Sequence, residues 1–168
     1  GTVDLSIPWN GTNPPAFTGA LYLGPNSLID VSGAIVLNHQ AGPVRTRTGL
    51  TTPVPGKILN GGAVTLTSLY APILAAHGST INVSGTQGAY DVLDSTTGLY
   101  THQNVWSDAG SVAIAGNVGM IFESTLIGHG GSPQAEGATL SVAESDVGSN
   151  NGSQKARVLV DGLDVALR

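Results

Sequence analysis

Gly61-Gly62-Ala63-Val64-Thr65-Leu66-Thr67 and Gly78-Ser79-Thr80-Ile81-Asn82-Val83-Ser84-Gly85 decide how this chain folds. In Val64-Thr65-Leu66-Thr67 and in Ile81-Asn82-Val83-Ser84, apolar and polar side chains alternate. A period of two is the mark of a strand with one buried face. Working outward, the same pattern recurs in Leu28 to Val31, Val112 to Ile114, Leu140 to Val142 and Val158 to Val160. Each run is short, and Gly, Asn or Ser follows within a residue or two, which ends strands and makes turns. No segment carries an amphipathic helical pattern with caps. The chain therefore reads as all-β.

The strand motifs also repeat. Asn26-Ser27-Leu28-Ile29-Asp30-Val31-Ser32-Gly33 aligns with Gly78 to Gly85 at an offset of 52 residues. Gly61 to Thr67 aligns with Ala109-Gly110-Ser111-Val112-Ala113-Ile114-Ala115 at an offset of 48. A third copy of that second motif is Glu136-Gly137-Ala138-Thr139-Leu140-Ser141-Val142, a further 27 along. Ser124-Thr125-Leu126-Ile127-Gly128-His129-Gly130 is a weaker copy of the first. Recurring short strands suit a parallel β-helix, in which no turn buries its own inner face and stacked turns build one core. Ile, Leu, Val and Ala then point inward, Thr, Ser and Asn outward, and Gly fills corners where neighbouring turns press together. Asp30 aligns with Asn82, so stacked turns would bring the two into a polar ladder. An antiparallel sandwich also shows short alternating strands, but it does not need its strand motifs to recur.

Composition agrees with a Gly-rich, weakly charged β-structure. Gly makes up 24 of 168 residues, and charged residues are only 10%, against about 25% in an average domain. Leu, Ile, Val and Phe number 44, enough to set the chain apart from disordered sequences. The net charge of −5 argues against nucleic-acid binding, since no basic patch is available to displace counterions. Residues 58 to 90 carry no charged side chain, yet their apolar residues alternate with polar ones, and the longest apolar run, Leu69 to Ala76, contains Pro72. The chain is thus not expected to span a membrane. The absence of Cys is compatible with bacterial export. A start at Gly1, with no Met and no signal peptide, reads as a piece of a larger protein or a trimmed mature chain.

The expected organisation is a β-helix repeat segment over residues 1–147, with loop excursions near 34–60 and 86–108. Residues 148–168 are read as a linker followed by a further strand, the start of another turn that would leave an apolar end face. The first excursion is rich in Pro and Thr and carries Arg45, Arg47 and Lys57. The second carries Asp91, Asp94, Tyr100, His102 and Trp106. Long structureless loops on a compact domain are where binding is expected.

The succession Gly-Gly-Ala-Val-Thr-Leu, then Pro-Ile-Leu-Ala-Ala, then Gly-Ser-Thr-Ile-Asn-Val-Ser-Gly resembles large bacterial filamentous-haemagglutinin-like exoproteins. So does Trp106-Ser107-x-Ala109-Gly110-Ser111-Val112, followed by Leu126-Ile127-Gly128-His129-Gly130-Gly131 and Glu136 to Val142. The resemblance covers about residues 19–145. It implies a right-handed β-helix within a two-partner secretion substrate, exported through an outer-membrane transporter to the cell surface. Such proteins act as adhesins, biofilm matrix components or stalks for contact-dependent toxins. The export motifs of the family's N-terminal secretion domain are not found, which makes this chain an interior or downstream piece. The implied partners are that transporter and a host or biofilm glycan or protein receptor.

Site chemistry is sparse. His39, His77, His102 and His129 form no pair at metal-binding spacing and read as surface or turn histidines. Gly128-His129-Gly130-Gly131 is similar to an esterase oxyanion loop, but the chain has no Gly-x-Ser-x-Gly elbow. β-Helices also include polysaccharide lyases and glycoside hydrolases. A hydrolase needs two carboxylates facing one groove, and Asp91, Asp94 and Asp108 are the candidates. The competing expectation is that each Asp caps a turn through its own backbone. Tyr90, Tyr100 and Trp106 lie near one another in sequence and are the candidate glycan contacts. Asn10, Asn82 and Asn151 open glycosylation sequons that a bacterial origin would empty of meaning. No catalytic residue, metal site or cofactor is expected. The function expected is a structural or adhesive segment of a secreted exoprotein. The alternatives are a carbohydrate-active β-helix enzyme and a phage-tail-like fibre.

Overall fold

The computed structural model describes residues 1–7, 19–46, 49–144, 158–160 and 165–166. All regular structure among them is β. The chain makes four similar passes. The first consists of β1 (Thr2–Ile7), β2 (Leu21–Leu23) and β3 (Leu28–Asp30). An excursion follows, with β4 (Ala34–Leu37), β5 (Val44–Thr46), β6 (Gly49–Thr51) and β7 (Gly56–Leu59). The second pass is β8 (Ala63–Ser68), β9 (Ile73–Ala75) and β10 (Thr80–Asn82). A second excursion holds β11 (Gln87–Leu93) and β12 (Tyr100–Trp106). The third pass is β13 (Ser111–Gly116), β14 (Met120–Phe122) and β15 (Thr125–Ile127). The fourth is β16 (Thr139–Glu144), β17 (Val158–Val160) and β18 (Val165–Ala166). The linker expected from residue 148 lies outside the described residues.

Like strands of successive passes pair side by side. The result is three four-stranded parallel sheets, ordered β1-β8-β13-β16, β2-β9-β14-β17 and β3-β10-β15-β18. Parallel pairing throughout these sheets overturns the antiparallel sandwich. Two repeat offsets coincide with the register. Thr80 pairs with Leu28, and Ser111 with Ala63, as the offsets of 52 and 48 require. The offset of 27 is corrected to 28, because Val112 faces Leu140. A one-residue slip would turn every side chain of β16 to the opposite face. Matching glycines suggested 27; the parity of the apolar residues decides for 28.

The inward residues of all three sheets meet in one core. Val64 and Leu66 from the first sheet, Ile73 from the second and Ile81 from the third are fully excluded from solvent. Burying a side chain of this size contributes about 1.5–3 kcal/mol. The second sheet is apolar on its outer face too. Tyr22, Leu74 and Ile121 stand in register there, with Tyr22 and Ile121 well exposed.

Between the second and third sheets the chain turns tightly. Asn26 (φ 63°) and Gly78 (φ 84°) hold the equivalent place in two passes, and both residue types tolerate the left-handed region. Next to Gly78, Ser79 donates to the Ala76 carbonyl at 2.6 Å. Its oxygen also contacts the Ser124 hydroxyl of the following pass, and both serines are buried. Along the third sheet the expected polar ladder is present. Asn82 Nδ2 donates to Asp30 Oδ1 at 3.3 Å, and the Ser32 N–H donates to the same oxygen at 2.9 Å. Those donors, the Ser32 N–H foremost, hold the Asp30 carboxyl below its ordinary value.

The two excursions are not structureless loops. They are antiparallel hairpins: β4 pairs with β7, β5 with β6, and β11 with β12. Chain that leaves the parallel sheets loses its neighbours on either side. It satisfies its backbone by pairing with itself.

Candidate functional site

Both hairpins leave from the corner that joins the third sheet to the first. Their necks are closed by the same backbone bond. The Gly62 N–H donates to the Val31 carbonyl at 2.7 Å, and the Gly110 N–H to the Val83 carbonyl at 2.7 Å. In the third pass, without a hairpin, the Ala138 N–H donates to Gly128 at 2.8 Å. Just past each exit stands a glycine: Gly33, Gly85 or Gly130. A Cβ at Gly33 would lie 2.7 Å from the Leu59 carbonyl oxygen, and one at Gly130 2.7 Å from that of Ala135. At Gly85 it would overlap the Ser107 carbonyl oxygen. Outgoing and returning chains thus touch backbone to backbone, which only glycine permits.

The two hairpins lie against each other. A Cβ at Gly56 would fall 2.8 Å from the Tyr90 ring, and one at Gly88 2.5 Å from Ile35 Cδ1. Val54 and Asp91 join them at the edge. The Val54 N–H donates to Asp91 Oδ2 at 2.7 Å, and the Asp91 N–H to the Val54 carbonyl at 3.0 Å. Asp91 Oδ1 meets His102 Nδ1 at 2.9 Å across the hairpin. The Val54 N–H, and then His102, keep the Asp91 carboxyl below its usual range.

The three candidate aromatics do not form one cluster. Tyr90 faces Gln103, whereas Tyr100 faces Leu93 and Trp106 faces Gln87. Directly opposed residues share a face, so Tyr90 lies on the side packed against Gly56. Tyr100 and Trp106 lie on the other face, six residues apart along β12, or about 20 Å at the rise of a strand. Trp106 is 45% exposed.

The three candidate carboxylates have separate tasks. Asp91 clamps the hairpins. Asp94 accepts from the Thr96 N–H and the Thr97 hydroxyl, both at 2.8 Å, in the β11–β12 turn, and these donors lower its pKa. Asp108 accepts from the Glu136 N–H at 2.9 Å at the corner. Of the three, only Asp94 caps its own turn, as expected of turn aspartates; Asp91 and Asp108 instead hold backbone N–H groups 37 and 28 residues away in the chain. The Gly128–Gly131 segment spends its backbone on stacking: the His129 carbonyl accepts from Gly85 at 2.8 Å, and the Gly131 N–H donates to Ser107 at 2.9 Å. Among the described residues no group of three His, Asp or Glu side chains could hold a metal. No helix among them is long and apolar enough to cross a membrane.

Sequence reading missed a groove. An open cleft of about 610 Å³ lies between the outer face of the second hairpin and the turn at Ser132–Gln134. Gln87, Ala89, Asn104 and Trp106 form one wall. These residues come from three separate stretches of chain, and no local pattern in the sequence connects them. Comparison with protein-family models, curated proteins and solved structures gives no match for this chain.

Proposed function

We propose that the three parallel sheets are the faces of a right-handed parallel β-helix, and that the chain is a structural and adhesive segment of a large secreted bacterial surface exoprotein. Four passes in matching order, with one shared core, support the solenoid. The right hand follows from the strong rule for parallel crossover connections. Export of the parent through an outer-membrane two-partner secretion transporter belongs to the same reading and rests on the resemblance described above.

The observation that carries the adhesive role is the pair of hairpins. They leave one corner on successive passes, are closed at the neck by backbone bonds, and brace each other through Ile35, Tyr90 and the Val54–Asp91 clamp. A solenoid gains nothing in core burial from such arms. It gains rigidly placed surface, which suits contact with a receptor. The test is adhesion of beads coated with the full chain to epithelial cells and to bacterial biofilm. They are compared with a variant whose hairpins, residues 34–59 and 87–106, are replaced by short turns. Adhesion that disappears with the hairpins supports the role. Adhesion equal in both proteins, or absent from both, refutes it.

A further inference from the structure

We infer that the groove beside Trp106 binds an uncharged pyranose unit of a glycan, stacked on the indole and hydrogen-bonded by Gln87, Asn104 and Gln134. This site rests on the adhesive reading and gives it a ligand class. An indole that keeps 45% of its surface in solvent is unusual, because tryptophan is on average strongly buried. The side chains of Gln87, Asn104 and Trp106 make no hydrogen bond to any described residue. Gln134 Oε1 accepts from the Ser132 hydroxyl at 3.1 Å, which leaves its amide nitrogen to donate into the groove. The cleft of about 610 Å³ falls within the range of small-molecule sites, about 300–1,000 Å³.

The chemistry of the lining selects the ligand. No side chain that lines the groove is charged. An indole face is electrostatically negative, so it attracts the slightly positive C–H hydrogens on one face of a pyranose ring. A carboxamide offers a donor and an acceptor side by side, which pairs with the hydroxyls around the ring's edge. A nucleic acid would also stack, but its phosphates would meet no cation here, on a chain of net charge −5. An anionic sugar would lack a counter-charge, since no cationic side chain lines the groove. A neutral hexose meets neither difficulty. The groove is open, so the unit can belong to a longer polymer.

The test uses the full chain carrying Trp9→Phe, which makes Trp106 the sole indole. Neutral hexasaccharides of β-1,4-glucose, β-1,3-glucose, α-1,4-glucose and β-1,4-mannose are titrated while tryptophan emission is recorded. A heparin hexasaccharide and sialyllactose are the anionic probes. The expected result is a saturable emission shift with at least one neutral probe. Affinity should fall about tenfold or more in Gln134→Ala and, by calorimetry, in Trp106→Ala, but stay within about twofold in Tyr22→Ala on the second sheet. Gln134 lies on an exposed turn, so its variant keeps the test decisive if Trp106→Ala folds poorly. No shift with any neutral probe, response to anionic probes alone, or unchanged affinity in both groove variants overturns the site. Bead adhesion in the same variants separates the two proposals. Adhesion that survives loss of the groove leaves the adhesive role standing without this site, and sugar binding without adhesion leaves the site without that role.

Discussion

Replacing Gly85 by Ala should unfasten the corner from which the hairpins emerge. Gly85 has no positive φ, so the cost is steric rather than conformational. The added methyl would overlap the Ser107 carbonyl oxygen and sit 2.8 Å from the Gly131 nitrogen and 2.9 Å from the Asp108 carbonyl carbon. All three are backbone atoms, so no flexible side chain can give way. To restore ordinary contact, the returning strand must move by about an ångström. That displacement breaks or stretches the Gly131 N–H bond to Ser107 and the Ser107 N–H bond to Thr86, both 2.9 Å. Two such bonds contribute about 1–3 kcal/mol together, and overpacking adds about 1–3 kcal/mol. The expected loss is therefore about 2–6 kcal/mol. Guanidinium unfolding followed by circular dichroism measures it, with Gly42→Ala as control. Nothing lies within 4 Å of a Cβ at Gly42, so that change should stay within about 0.5 kcal/mol of the parent. A Gly85→Ala protein as stable as the Gly42→Ala protein would refute the close backbone contact.

The buried serine pair gives a second test. Ser79→Ala strands the buried Ser124 hydroxyl, while the Ala76 carbonyl keeps the Ser79 N–H at 3.1 Å; the change should cost about 1–3 kcal/mol in urea unfolding, and the double change with Ser124→Ala should cost less than the two single changes summed. The clamp between the hairpins should titrate. Hydrogen bonding lowers the folded-state pKa of Asp91 below the ordinary 3.8, so its contribution is complete above that pH and is lost as pH falls through the folded value. The Val54 amide proton resonance should shift over that acidic range, and Asp91→Asn should abolish the titration. Ile35→Ala removes the side chain that covers Gly88, so hydrogen exchange should quicken in β11 and β12 while the amides of Leu66 and Ile81 keep their protection.

How much the sequence disclosed follows from which faces are buried. Strands of the first and third sheets, such as Val64–Thr67 and Ile81–Ser84, have one buried and one wetter face, so their period of two is legible. In the second sheet, Leu21-Tyr22-Leu23, Ile73-Leu74-Ala75 and Met120-Ile121-Phe122 are apolar on both faces. Alternation vanishes there, and those strands were not identifiable from pattern. The hairpins read as loops in the sequence because each strand's partner lies within the same excursion rather than in a repeat. Tyr90 and Trp106 lie in the same excursion, but the pairing of Tyr90 with Gln103 and of Trp106 with Gln87 puts them on opposite faces. The groove needed Gln87, Asn104 and Gln134 to be brought together, which only the tertiary arrangement does.

The neck bonds lead to the last prediction, that the hairpins are detachable. Gly62 to Val31, Gly110 to Val83 and Ala138 to Gly128 are equivalent bonds in three successive passes. Between them the chain inserts 32–61, 84–109 and 129–137. The third insert shows that a short connection closes the same corner. Replacing 32–61 by the residues of 129–137 should therefore preserve the parallel sheets. Closing a loop about a third as long recovers about 1 kcal/mol of chain entropy. The loss of packing between Ile35 and the second hairpin opposes that gain. The amides of Val64, Leu66 and Ile81 lie in strands paired on both sides with neighbouring passes. Their hydrogen exchange should stay slow, while Val92 and Thr101, in the hairpin that has lost its brace, should exchange faster. Loss of protection at Leu66 and Ile81 would mean that the first hairpin is part of the core's stability. Retained protection would mean that the corner carries the hairpins without depending on them, leaving their sequences free to differ while Gly33, Gly85 and Gly130 stay fixed.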